Sequence, residues 1–412
     1  MFSSSNPIRT RLHLTASKVL TVVSALSITT LVSAQAPYVR ADKPISDSQQ
    51  RVRVIIDFED DAHLRFPGTD PAPLSVLDSV SGKTLKFEHK PRTHALVAEY
   101  EATYNILRVG MTSWVGNSMT AFVAPNTIKL LLGDARVKQV SDDFYVEQSA
   151  PTPPTWNPIP GDIESGWNQV AVKAKTYDTN TNTLRKIYII DGGVALHADL
   201  PTMTRLNVAC SGGANCPTTS YPLVGCYGHA THVAGIVGAI ANTGNGVKGI
   251  YAEFPNMVSL SVSERSSTNT ADCGDVIAAS GVANSLDYVY WDATQNNPYK
   301  IAHIATMSIN TGGTQYVNEG SQGANWNRVK TVATSIWANG VPLIPGVFFV
   351  QSSGNVNPVS SQKDACFRAY RSDLGLPAAV EDSVMVVGAV HHNGHAVVLS
   401  ETFSGTYPSS PR

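Results

Sequence analysis

The sequence predicts an α/β protein with a doubly wound parallel sheet, preceded by a small α+β domain. Two patterns support this. From Asn157 onward, continuous apolar strands such as Lys186-Ile-Tyr-Ile-Ile190 alternate with amphipathic helical stretches. Strands apolar on both sides need helices on both faces, which is the doubly wound arrangement. Before them, Ser149-Ala-Pro-Thr-Pro-Pro-Thr155 carries three prolines, which remove donors and fix φ, so it is a linker separating two regions of different pattern.

In chain order, residues 37–50 are polar and are expected to form a flexible lead-in. Residues 51–147 are expected to alternate strand, helix, strand, helix, strand. Val52 to Phe58 is β-branched, and Val97, Tyr100, Tyr104 and Leu107 fall at helical spacing. Trp114 to Val123 forms a strand, Asn126 caps a helix over Thr127–Gly133, and Val137 to Val146 returns as a strand. After the linker (148–156), the second domain occupies 157–412. Its strands are Lys186–Ile190, Ile301–Ile309, Gly346–Val350 and Val384–Val390. One helix carries Val276, Ala279, Ala283, Leu286 and Tyr290, and another carries Val329, Val332 and Ile336. Ligands of such a sheet bind at the carboxyl ends of its strands.

Composition narrows the function. Of 412 residues, 42% are hydrophobic and 15% charged, below the usual charged share of about 25%. Thirty Lys+Arg against 32 Asp+Glu, with no local basic cluster, exclude a nucleic-acid-binding surface. Met1 to Lys18 carries Arg9, Arg11 and Lys18 without an acid. The apolar run VLTVVSALSITTLVSAQA then ends near Ala34 and Ala36. Residues 1–36 are therefore a secretory signal rather than a span, because the run is short and rich in Ser/Thr. The product is expected to be extracellular, with no membrane attachment once the signal is removed. Five cysteines (Cys210, Cys216, Cys226, Cys273 and Cys366) leave at least one thiol unpaired within the chain, and their pairing is not fixed by sequence. No N-glycosylation sequon occurs.

Asp191 ends a buried strand in Ile-Ile-Asp-Gly-Gly-Val, where an unpaired carboxylate is costly. On its own it reads as a Gly-rich turn aspartate. The segment Gly228-His-Ala-Thr-His-Val-Ala-Gly235 shifts that balance, since it opens a small-residue helix on His229. His232, one turn on, reads as a satisfied core histidine. An aspartate on a strand end and a histidine opening a helix supply a general base and its orienting carboxylate.

With these residues the chain resembles the subtilisin-like serine peptidases (the subtilase, or peptidase S8, family). Asp191-Gly-Gly-Val followed by His197-Ala-Asp-Leu200 is similar to the family's aspartate motif, and His229-Ala-Thr-His-Val-Ala-Gly to its histidine motif. Met307-Ser-Ile-Asn-Thr-Gly-Gly313 resembles the cleft strand, Gln351-Ser-Ser-Gly-Asn355 the oxyanion segment, and Val386-Val-Gly-Ala-Val390 with Phe403-Ser404 the next strand and loop. The resemblance implies a secreted serine endopeptidase made as a zymogen. Asp191 and His229 would be catalytic and Asn355 the oxyanion donor, with Ser308, Gly312, Gly313, Ser353 and Gly354 lining the substrate cleft. It implies that 51–147 is an inhibitor-type propeptide acting on its own peptidase domain, that maturation falls near Glu147–Pro154, that the protein is monomeric, and that no cofactor is required. Structural calcium is a candidate through Asp199 and Asn242, although one carboxylate and carbonyls make a thin donor set.

Two motif positions depart from the family: Gly192 stands where Ser or Thr is usual, and Ala230 where Gly is usual. The nucleophile segment is expected past Arg412, so the peptidase domain reads as incomplete, and Ser404, Ser409 and Ser410 are not assigned that role. Cys226 precedes the imidazole and reads as a bridge or buried thiol rather than a nucleophile. His391-His-Asn-Gly-His395 lacks a fourth ligand and reads as a strand-end turn. An alternative function is a catalytically inactive homologue that binds peptide or propeptide in the same cleft. A third is residues 51–147 inhibiting a related protease on their own. Substrate preference is not legible.

Overall fold

A computed structural model of the chain describes residues 35–41, 44–59, 87, 89–146, 185–209, 228–240, 248–251, 256–264, 276–294, 303–309, 328, 337–338, 341–342, 347–352 and 384–387. The Pro-rich linker, the five cysteines, Asn242, Gly312, Gly313, Ser353, Gly354, Asn355 and the 391–395 histidines lie outside them.

Among the described residues, the N-terminal module is a five-stranded sheet with two helices. Its elements are β1 (Tyr38–Val39), β2 (Val52–Phe58), α1 (Pro91–Tyr104), β3 (Leu107–Thr112), β4 (Ser118–Val123), α2 (Pro125–Leu132) and β5 (Val137–Asp142), with sheet order β1-β5-β2-β4-β3. Alternation in β2 sends Val54, Ile56 and Phe58 into a core with Leu96, Val97 and Tyr100 of α1 and Ile128 and Leu131 of α2.

Several expectations are corrected here. Leu107 does not continue the helix, because Asn105 turns left-handed (φ 49) and Leu107 opens β3. Trp114 lies in the β3–β4 turn, not in a strand. Pro125 at the first helical position starts α2 after Ala124, which makes no side-chain cap, so Asn126 is not the cap. Within 37–50, residues 37–41 and 44–50 join the module rather than forming a free lead-in. β1 runs parallel to β5, the Tyr38 hydroxyl donates to Asp142, and Asp47 accepts the N–H groups of Gln49 and Arg51 in a turn. Polarity misled here, because its polar groups bond to the module rather than to water.

The strand expected over 137–146 breaks at Asp143-Phe144. Beyond the break, β6 (Tyr145–Val146) joins a second sheet.

The C-terminal module holds β7 (Ile187–Asp191), β8 (Thr204–Asn207), α3 (Gly228–Gly238), β9 (Met257–Ser261), β10 (Ser263–Glu264), β11 (Val276–Ala278), α4 (Ala279–Thr294), β12 (His303–Met307), the pair β13 (Trp337–Ala338) and β14 (Val341–Pro342), β15 (Val347–Ser352) and β16 (Val384–Val387). Six strands form one parallel sheet in the order β16-β15-β12-β7-β9-β8. From β7 the chain fills one side of the sheet with β8 and β9, then crosses to the other side with β12, β15 and β16. The β7/β12 boundary is therefore the topological switch point. β7 alternates between two covers. Tyr188 and Ile190 pack with Leu286 and Val289 of α4, whereas Ile189 packs with Ala230 and Ala234 of α3. Val276 belongs to β11 rather than to α4. Arg328 is helical, but the remainder of the helix expected through Val329, Val332 and Ile336 lies outside the described residues.

The two modules share one compact unit. Phe87, Val115 and Phe144 of the first join the core around α4, and Arg328 Nη2 donates to Asp57 Oδ1 at 2.8 Å and Ser118 Oγ at 3.2 Å.

Candidate active site

Asp191 closes β7 at the carboxyl edge of the sheet, beside the switch point. Strand alternation puts its side chain on the same face as Ile189, toward α3. Gly228 and His229 begin α3, and the small residues Ala230, Ala234 and Gly235 let that helix lie close against the sheet. The result is direct contact. His229 Nδ1 lies 3.0 Å from Asp191 Oδ1 and 2.9 Å from Oδ2. Asp191 is buried (1% exposed), while the His229 side chain keeps 17% of its surface. A carboxylate facing Nδ1 holds the proton there and makes Nε2 the basic nitrogen. Gly192 N–H donates to Asp191 Oδ1 at 2.6 Å, replacing part of the hydration lost on burial.

Ser308 leaves the sheet just after β12 and is half-buried. Met307 pairs with Ile190, so Ser308 emerges beside Asp191, across the switch point. Gln351 Nε2 donates to Ile309 O at 2.7 Å and ties the β15 end to the same edge. The remaining cleft positions and Asn355 lie outside the described residues. His232 is exposed on the outer side of α3, which corrects the expectation of a core histidine. It lies two residues from each of the buried Ala230 and Ala234, about 200° round the helix from both, and so on the opposite side.

Asp199 is buried, and the Asn242 loop proposed to join it lies outside the described residues. The Asp199 carbonyl accepts Ile240 N–H at 2.7 Å, and no group of three or more His, Cys, Asp or Glu side chains suited to a metal occurs among the described residues.

Sequence reasoning missed the strand pairing next to this edge. Ser261 of β9 is the partner of Asp191, and two residues on β10 begins a ribbon of order β10-β11-β6. Ser263 pairs with Ile277, and Ile277 with Val146 of the N-terminal module. The signal available was the break at Asp143-Phe144, which a run of strand residues concealed.

A buried carboxylate–imidazole pair at the carboxyl edge of a doubly wound parallel sheet defines an α/β protein equipped for general-base chemistry. The chain belongs to the subtilase family, whose model matches residues 185–409, more than half of the chain. It is 29% identical over 231 residues to the minor extracellular protease Epr of Bacillus subtilis (strain 168). That match covers 56% of this chain but 31% of the relative's length. Among solved structures, the epidermin leader peptide processing serine protease of Staphylococcus aureus is similar at a TM-score of 0.45 and 10% identity, covering 86% of this chain and 73% of that one. The subtilisin-like protease Apa1 of Pseudoalteromonas sp. AS-11 is similar at 0.33 and 21%, covering 58% and 43%.

Proposed function

We propose that the chain is the zymogen of a secreted serine endopeptidase whose general base is His229, oriented by Asp191. The Asp191–His229 contact carries this reading. Nε2 of His229 would take the proton of a serine hydroxyl as its oxygen attacks the substrate carbonyl carbon, and would return it to the leaving amine. Asp191 would hold the tautomer and stabilise the imidazolium. Asn355 would donate to the developing oxyanion, a contact of a kind whose removal costs about 10²–10³ in kcat. No residue of 1–412 is assigned as the serine.

The N-terminal module would act as the inhibitor-type propeptide. In support, its last strand, β6, adds antiparallel to β11 on a ribbon rooted beside Asp191, as an extended peptide adds to a sheet edge. Maturation would cut in the stretch after β6, near Glu147–Pro154.

The test is secretion of the product of the complete gene, with whatever follows residue 412, from a bacterial host, followed by N-terminal sequencing, serine-directed phosphonate labelling and hydrolysis of a fluorogenic peptide. The expected result is a new N-terminus within 147–154, together with labelling and turnover that His229→Ala lowers by several orders of magnitude. A folded product that neither labels nor cleaves, yet binds the peptide, would establish the inactive peptide-binding homologue instead.

A further inference from the structure

The register of β7, β9 and β8 lays out two rows on the face covered by α3. Asp191, Ser261 and Asn207 form the upper row, and Ile189, Ser259 and Arg205 the lower. After Asp191 the chain folds back over these rows as Gly192–Ala195. Gly193 sits at φ 117, and two successive glycines give this loop little conformational preference of its own. Its path is fixed instead by side chains from three other elements. Ser261 Oγ donates to Gly192 O at 2.9 Å, and Val194 N–H donates to Ser259 Oγ at 3.1 Å. Arg205 Nε donates to Val194 O at 3.0 Å and Nη2 to Ala195 O at 3.2 Å. Ala195 N–H donates to Thr231 Oγ1 at 3.0 Å, and Thr231 lies two residues after His229 on α3.

Resting on the reading of Asp191 and His229 as the base pair, we infer that Arg205 is a positioning residue for that pair. It is buried (6% exposed) at one edge of the sheet, and it spans two consecutive carbonyls of the loop. A planar guanidinium with several fixed donors can hold both at once, whereas a lysine ammonium is a single point charge on a flexible stem. The loop begins at Gly192, whose N–H is bonded to the Asp191 carboxylate, and ends at Ala195, bonded to the helix that carries His229. Arg205 thereby fixes the carboxylate and the imidazole relative to each other without touching either.

The test reads the pair itself and needs no turnover. In ¹⁵N-histidine-labelled full chain, the low-field Nδ1 proton of His229 is assigned by its disappearance in His229→Gln, and Tm is measured in parallel. Arg205→Met is expected to broaden or abolish this resonance, and Arg205→Lys to restore it in part. Thr231→Val, which cuts the loop–helix link while keeping Arg205, is expected to weaken it as well. It serves as the decisive variant if Arg205→Met does not fold. A resonance unchanged in a folded Arg205→Met chain with a lowered Tm would reduce Arg205 to a stabilising residue and overturn the inference. So would an unchanged resonance in Thr231→Val where Arg205→Met cannot be examined. Absence of the resonance from the unsubstituted chain would instead count against the reading of the pair as the base.

Discussion

Asp143 of the N-terminal module caps helix α4 through Ser280. Its Oδ1 accepts the Ser280 N–H at 3.2 Å and its Oδ2 accepts the Ser280 hydroxyl at 2.7 Å. The same carboxylate takes Arg53 Nε at 2.7 Å, and both partners of this ion pair are buried. Asp143→Ala therefore removes a helix cap, worth about 1 kcal/mol, and leaves a buried guanidinium without its carboxylate, worth about 3–5 kcal/mol. The expected outcome is a loss of several kcal/mol in urea denaturation. Asp143→Asn, which retains a capping oxygen, should lose less.

Asp287, fully buried on α4, gathers the β3–β4 turn. It accepts the main-chain N–H groups of Ser113, Trp114 and Val115, and His89 Nδ1 lies 3.4 Å from its Oδ2. Bonds to a charged acceptor contribute about 1.5–3 kcal/mol each, and a donor left buried without one costs about as much. Asp287→Asn should leave the modules folded yet speed amide exchange at 113–115 by about tenfold or more. Unchanged protection there would mean that the turn is held by packing of Val115 and Phe87 alone.

His303 makes stability depend on pH. Burial, aided by the nearby Lys186 ammonium, pushes its imidazole from the ordinary 6.5 down to about 4. Below pH 6.5 the unfolded chain takes up this proton while the folded chain does not, so unfolding is increasingly favoured until pH reaches about 4. The contribution is complete above pH 6.5 and is lost over the window from 6.5 to about 4. At roughly 1.4 kcal/mol per pH unit, it totals about 3 kcal/mol. His303→Asn, which can still accept Lys186 N–H, should flatten the slope of Tm against pH across that window.

Gly193 at φ 117 leaves no comfortable conformation for a side chain. Gly193→Ala should destabilise the chain by about 1–3 kcal/mol and should disturb the Asp191–His229 contact more than the distant β2–β4 pairing. Thermal melts and histidine spectra of this variant separate the two effects.

Much of the site was legible because its parts are local. An aspartate ending an apolar strand and a histidine opening a small-residue helix each mark their own element, and strand alternation fixes the face to which Asp191 points. The anchors of the 192–195 loop were not legible, because Ser259, Ser261, Arg205 and Thr231 are ordinary residues until register sets them side by side. The turn at 113–117 was lost for a related reason: Trp114 favours strands by propensity, while the acceptor that bends the chain there, Asp287, is 173 residues away.

The sequence by itself determined the class of the sheet and singled out Asp191 and His229, since periodicity and short motifs act over a few residues. Tertiary structure alone decided that β6 leaves its own module to pair with β11, and that residues 36–41 bond to the first module instead of trailing from it. It also placed buried Asp143 and Asp287 at the boundary between the modules. Each of these depends on which distant backbone groups require a partner once water is excluded, and no local pattern encodes that requirement.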